Sequence, residues 1–205
     1  MGRTDSRLHR ILSVPWLYDA VQGLMGASKG RRAFVADFVR PAAGNRILDL
    51  GCGTARILSD LPRNLEYWGY DVSCAYIDAA RARFGERATF VCGELDQRAL
   101  ARLPRFEIVL GVGLLHHLED AQARKLLSLA RMALQENGRL VTIDPCYAPD
   151  QPLVARILVR CDRGRNVRTP EGYRTLAESA FRRIAGAVRH RRWVPYTHWV
   201  MECRP

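Results

Sequence analysis

Asp49, Gly51 and Gly53 stand in the run Asp49-Leu50-Gly51-Cys52-Gly53-Thr54-Ala55, and their types and spacing suit the capture of a cationic group beside a ligand pressed against the main chain. The glycines lack a Cβ, so they adopt dihedrals other residues avoid and let a ligand approach the backbone. Amides at the start of a following helix would face that ligand as donors. A carboxylate at Asp49 suits an ammonium group better than a pyrophosphate. Asp71 closes the β-prone run Leu65-Glu66-Tyr67-Trp68-Gly69-Tyr70-Asp71, 22 positions after Asp49. An acid roughly 20 residues on, at the tip of a second strand, accepts ribose hydroxyls. The pair therefore predicts an adenosine site.

Two other glycine-turn chemistries do not fit. A phosphate loop needs a Lys and then Ser or Thr after its second Gly, and here Thr54-Ala55-Arg56 follows Gly53. The dinucleotide pattern needs a third Gly three residues after the second; that position is Arg56.

Four strand-like segments must bring these residues to one edge of a sheet. Arg46–Leu50 enters the glycine turn and Tyr67–Asp71 ends in the second acid. Thr89–Cys92 is followed by Gly93-Glu94, and Ile108–Val112 contains Gly111. Helical patterns at Ala55–Leu61, Cys74–Phe84, Arg98–Leu103 and Ala121–Leu134 alternate with them, which predicts a parallel, doubly wound α/β sheet. Gln135-Glu136-Asn137-Gly138-Arg139 reads as a helix stop and turn before a fifth strand, Leu140–Asp144. Thr169 as N-cap with Pro170 at the first helical position starts a helix through about Phe181. Ile184–Arg191 and Tyr196–Cys203 form a closing antiparallel pair. The connection 145–168 is long for a link of this kind.

These motifs, in this order, resemble the class I S-adenosylmethionine-dependent methyltransferases: strand-Asp-x-Gly-x-Gly, strand-acid, strand-Gly-acid, then a strand before Leu115-His116-His117-Leu118. The resemblance covers about residues 45 to 145 and implies a Rossmann-like, seven-stranded, mostly parallel sheet with an antiparallel last strand and helices on both faces. It implies S-adenosylmethionine as cofactor and S-adenosylhomocysteine as product. Carried over, Asp49, Gly51 and Gly53 hold the amino-acid end of the cofactor, Asp71 the ribose, and Glu94 with Leu95 the adenine, while Gly111 lines the methionine moiety. Glu94 departs from the Asp usual there. Cys52, Val72, Gly93, Val112 and Tyr18 complete the expected cofactor set. Trp16-Leu17-Tyr18-Asp19 resembles the start of the small-molecule branch of ubiquinone and menaquinone biosynthesis. This makes a helical cap from about Leu8 to Arg40, with Pro15 near a break and Gly23, Gly26 and Gly30 within it, a lid candidate.

The expected acceptor is a small molecule, methylated on oxygen, nitrogen or carbon by direct displacement. Its candidate catalytic residues are His116, His117, Asp144 and Tyr147, since an imidazole near neutrality could take a proton from a hydroxyl. Tyr18, His116, Tyr147, Arg156, Arg160 and Arg163 are candidate acceptor contacts, because guanidinium forks grip carboxylate and phosphate at two points. Local packing is the stronger reading of the two histidines, and a solvated face laced to Asp162 and Glu171 accounts for the arginines equally well. Asp144-Pro145-Cys146-Tyr147 is similar to the Asp-Pro-x-Tyr of amino-group methyltransferases acting on DNA bases, but theirs follows the fourth strand. A thiolate mechanism like that of cytosine C5 enzymes would need a further Pro-Cys after the fourth strand, where Gly111-Val112-Gly113 stands. No acidic cluster joins Asp144 as a hard-cation site, so no metal is expected.

The length of 205 residues suits one domain: 1–44 as cap, 45–145 as cofactor core, and 146–205 as acceptor insertion and closing strands. No run approaches the roughly 18 apolar residues of a membrane span, and the N-terminus lacks a secretory pattern, so the expected location is cytoplasmic. The six cysteines include no Cys-x-x-Cys pair, which indicates neither zinc nor a disulfide framework and makes most of them small core residues. A net charge of +11 would suggest nucleic acid. Lys29 and Lys125 are the only lysines, however, and so strong an arginine bias can come from genome composition. An RNA-modifying enzyme using the basic surface as a phosphate track and a silent cofactor-binding protein are the alternatives. The run Arg189-His190-Arg191-Arg192 reads as a solvated strand edge.

Overall fold

A computed structural model describes residues 27–160, 164–191 and 196–205 of the chain. Its centre is β1 (Arg46–Leu50), whose last four residues are buried because the strand has a neighbour on each side and helices over both faces. Side chains alternate across it. Leu48 and Leu50 join one core with Tyr70, Val109, Leu115, Leu127 and Ala130. Ile47 joins the other with Tyr67, Leu58, Ile77, Ile108 and Leu110.

The remaining strands are β2 (Glu66–Asp71), β3 (Thr89–Cys92), β4 (Phe106–Val112), β5 (Leu134–Pro145), β6 (Arg183–Arg191) and β7 (Tyr196–Arg204). They form one seven-stranded sheet in the order β3-β2-β1-β4-β5-β7-β6. β1 to β5 run parallel, and β7 is antiparallel to both β5 and β6. The predicted sheet is therefore present, with its antiparallel last strand. The strand order reverses between β1 and β4, which opens a crevice above their carboxyl ends; ligands of open α/β sheets bind in that place.

Several local expectations are corrected. The segment after the glycine turn is a short 3-10 helix, Arg56–Asp60, rather than an α-helix, since Ala55 holds a left-handed φ of 53° and Leu61 is already extended ahead of Pro62. Gln135–Gly138 is an irregularity within β5. Phe106 pairs with Leu134 and Ile108 with Arg139, so the extra residues bulge out of the ladder. Arg98–Leu103 shrinks to one turn, Gln97–Leu100, capped by the Asp96 side chain. The helix expected through Phe181 ends at Ala177, and the long connection contains a helix, Leu153–Arg160. Cys74 and Cys92 form a disulfide, against the reading of the cysteines as core residues. Only Cys146 and Cys203 among the described cysteines are buried in that manner.

The described part of the N-terminal cap is an α-helix, Ala27–Phe34, running into a π-helical turn, Val35–Val39. Phe34, Val35 and Val39 are buried in the second core. Ion pairs of Arg31 with Asp60 and Arg40 with Glu202 pin this segment, as does the 2.6 Å hydrogen bond from Arg139 to the Val39 carbonyl. Arg189 on β6 pairs with Asp37 and lies over the Phe38 ring, so that part of the basic run is tied down. No described helix is long and apolar enough to cross a membrane.

Candidate active site

Three strand tips are stitched together at the crevice. Gly51 and Gly53 take φ of 65° and 55°, the left-handed region open to glycine. A Cβ on Gly53 would meet nothing within 4 Å, nor would one on Gly93, whose φ is 146°. Cys52 donates its N–H to the Tyr70 carbonyl at 3.0 Å, and Gly93 donates to the Asp71 carbonyl at 2.8 Å. The Asp71 carboxylate accepts from the Gly53 amide at 2.9 Å and the Ser73 amide at 2.8 Å, one to each oxygen. Each carboxylate oxygen keeps further acceptor capacity.

Asp49 sits at the end of β1 and is 1% exposed. Tyr67 donates its hydroxyl to Oδ2 at 2.5 Å. The other oxygen, Oδ1, is buried with no hydrogen-bond partner among the described residues. Burial pushes the Asp49 carboxyl up to about 7, the Asp71 charge adds to this, and the Tyr67 hydrogen bond opposes it. A carboxylate kept from water with a free oxygen is a receptor for a cation.

The third tip carries Gly93, Glu94 and Leu95. Glu94 is exposed, whereas Leu95 is buried in the first core, which leaves its main chain to face a ligand. Val72, beside Asp71, is 69% exposed and offers an apolar surface at the crevice. On β4, Gly111 is buried between Leu50 and Thr142 and Val112 is half-buried. Gly113, with φ of 64°, makes the bend that follows.

Beyond that bend, Leu115–His117 forms a 3-10 turn. His116 is 5% exposed and Asp144 1%. The His116 backbone N–H reaches Asp144 Oδ1 at 3.2 Å and ring atom Nδ1 lies 2.9 Å from that oxygen. Asp144 Oδ2 is buried with no partner among the described residues. Gly164 packs on the imidazole: a Cβ there would overlap His116 Cδ2 and stand 2.7 Å from the His116 carbonyl oxygen. His117 is exposed, its ring 4.0 Å from that of His116.

Of the acceptor candidates, Tyr147 and Arg156 are brought together, the guanidinium 5.7 Å from the ring centroid. Arg160 is exposed one turn further along the same helix. Tyr18 and Arg163 lie outside the described residues. Arg168, in the same basic stretch, is drawn inward instead. Its guanidinium donates to the Leu115 and Leu118 carbonyls at 2.9 and 2.7 Å and to Asp120 at 2.7 Å, which ties the connection after β5 to the turn after β4.

Tyr67, Ser73, Gly113, Gly164 and Arg168 all shape the site, although no motif in the sequence marks them for it. Tyr67 has a signal of its own. A tyrosine two residues before Gly69 on β2 can lay its ring along the strand toward the Asp49 tip.

Known proteins share the domain and the fold. Residues 47–138 match the family model described as a methyltransferase domain. Human N-acetylserotonin methyltransferase, solved with S-adenosylmethionine, is similar over 99% of this chain and 60% of its own, at 18% identity and a TM-score of 0.70. The methyltransferase SibL in its apo form gives 22% identity, 96% and 61% coverage and a TM-score of 0.70. A TehB-like enzyme from Corynebacterium glutamicum gives 19% identity, 91% and 96% coverage and a TM-score of 0.61. The chain thus spans about three fifths of the length of the first two. No curated protein matches it. The fold is that of these solved methyltransferases, among them the human enzyme with its bound S-adenosylmethionine.

The residues present fit that cofactor. Among the described residues Asp49 Oδ1 is an unpartnered acceptor, suited to its ammonium group. Gly53 and Gly93 leave room where side chains would intrude, and Asp71 retains acceptor capacity for ribose hydroxyls.

Proposed function

We propose that this protein transfers the methyl group of S-adenosylmethionine to a small-molecule acceptor oxygen, nitrogen or carbon. The observation that carries the reading is the buried, unpartnered oxygen of Asp49 at the glycine turn, with Asp71 hydrogen-bonded across to the same turn. Asp49 takes the ammonium, the Gly51 and Gly53 main chain the rest of the amino-acid end, and Asp71 the ribose. Val72 and the Gly93-Glu94-Leu95 segment flank the adenine, and Gly111 and Val112 line the floor. Bound there, S-adenosylmethionine supplies a methyl group already activated on a sulfonium, passed on by direct displacement to leave S-adenosylhomocysteine.

Alignment supplies most of the acceleration in such a transfer. Residues 45–145 hold the cofactor and 146–205 shape the acceptor side. Tyr147 with Arg156 stacked on it offers an aromatic face and a cation, and Arg160 adds a second charge. These favour an anionic aromatic acceptor. His116 and Asp144 serve as a positioning pair, because the imidazole is buried beneath Gly164 and joined to a buried carboxylate.

Calorimetric titration with S-adenosylmethionine and S-adenosylhomocysteine tests the reading. Wild type is expected to bind in the micromolar range, and Asp71→Ala to bind more weakly by about 1–3 kcal/mol. An acceptor screen with labelled methyl donor follows. Absence of binding to folded wild type would overturn the reading.

A further inference from the structure

The glycine turn accounts for the place of Asp49, but not for which of its oxygens is available. Tyr67 is the second residue of β2, paired with Ile47 and buried. Two residues on, Gly69 pairs with Asp49 itself. A Cβ on Gly69 would lie 3.1 Å from Tyr67 Cε1, 3.0 Å from Phe90 Cδ1 and 2.8 Å from Cys52 Sγ, so the tyrosine ring occupies the space above the glycine. Phe90, at 6.0 Å and 63° to that ring, packs edge-on against it. The hydroxyl thereby arrives at Asp49 Oδ2, 2.5 Å away. One carboxylate oxygen is held and the other has no partner among the described residues.

We propose that Tyr67 is a positioning residue for the amino-acid end of the methyl donor: its hydroxyl anchors Asp49 Oδ2 and leaves Oδ1 for the donor's ammonium group. This rests on the methyltransferase reading and adds a residue to it. The arrangement has an electrostatic consequence as well. The groups facing Asp49 are Tyr67 on β2, Asp71 at the β2 tip and Cys52 in the turn, while its β4 neighbour, Leu110, does not titrate. Of these, the Tyr67 hydroxyl favours the ionised form of Asp49 and Asp71 disfavours it. Donor affinity should therefore fall as pH drops through about 7, where Asp49 takes up a proton. Loss of the hydroxyl should move that midpoint upward.

The test compares wild type with Tyr67→Phe, which keeps the ring packing, across pH 5.5 to 8.5. The probes are S-adenosylhomocysteine and 5′-methylthioadenosine, which carries the nucleoside without the amino-acid end. Tyr67→Phe is expected to weaken S-adenosylhomocysteine roughly tenfold and shift its pH midpoint up, with 5′-methylthioadenosine unaffected. Equal weakening of both probes would make Tyr67 merely structural and overturn the inference. An unchanged affinity and pH profile would do the same while leaving the methyltransferase reading intact. Failure of wild type to bind either nucleoside would overturn both together.

Discussion

Cys74 and Cys92 are joined by a disulfide that links the start of the helix after Asp71 to the residue before Gly93. The bond ties the Asp71 tip to the Gly93 tip. A cross-link closing a loop of this size stabilises by about 2–4 kcal/mol, chiefly by restricting the unfolded chain. Reduction, or Cys74→Ser, is expected to lower the melting temperature and weaken S-adenosylhomocysteine binding. Thiol labelling of denatured, unreduced protein should leave both cysteines unmodified, and their modification would refute the bond.

Asp49 sets a conflict between stability and binding. Its carboxyl is raised in the folded state from the ordinary 3.8 to about 7. The stability associated with the bound proton is therefore present at acid pH and lost as pH rises through about 7. In the cofactor-free protein, Asp49→Asn should stabilise at pH 8 by on the order of 3 kcal/mol more than at pH 5. It should also abolish cofactor binding. Thermal melts at the two pH values, with calorimetry, check both halves.

His116 and Gly164 form a contact that tolerates no growth. Gly164→Ala would force the acceptor segment off the imidazole, so the KM for the acceptor is expected to rise while cofactor affinity stays near wild type. His116→Ala removes the imidazole from the buried Asp144 carboxylate and leaves it the backbone N–H of residue 116, at a cost of about 1–3 kcal/mol. If His116 were instead the base, a slope in the kcat–pH profile would vanish in His116→Gln.

Arg168 makes three kinds of contact at once, to the Leu115 and Leu118 carbonyls, to Asp120, and over the Tyr173 ring at 5.7 Å. Arg168→Lys keeps the charge and loses the fork. It should reduce stability by about 1–3 kcal/mol and raise the acceptor KM. An unchanged melting temperature would return Arg168 to the solvated basic face.

Much of this arrangement is legible in the amino-acid sequence. The apolar run Arg46–Leu50, the glycines after it and the acid at Asp71 are local signals, each set by neighbours along the chain. What escapes depends on distant partners. The meeting of Cys74 with Cys92 follows from where β2 and β3 end, and no motif spaces them. Arg168 is indistinguishable in sequence from Arg156 and Arg160 until the 3-10 turn of Leu115–His117 presents carbonyls to it. Gln135–Gly138 carries the residues of a turn, yet Leu134 pairs with Phe106, so strand pairing overrides local preference. Tyr18 and Arg163 lie outside the described residues.

The bulge in β5 also separates two kinds of sequence change. It lies at the entrance of the strand, where Glu136 and Asn137 are exposed, while register is set beyond it at Arg139 opposite Ile108 and held at the far end by the Gly113 amide on the Ile143 carbonyl. A residue added or removed at 136–137 would be taken up as slack before the strand begins to align Asp144 with His116. Gly138 is the limit of that freedom, since a Cβ there would stand 2.8 Å from the Phe106 carbonyl oxygen. The chain thus has a place where its length can vary without moving the chemistry, as far from the strand tips as the sheet allows.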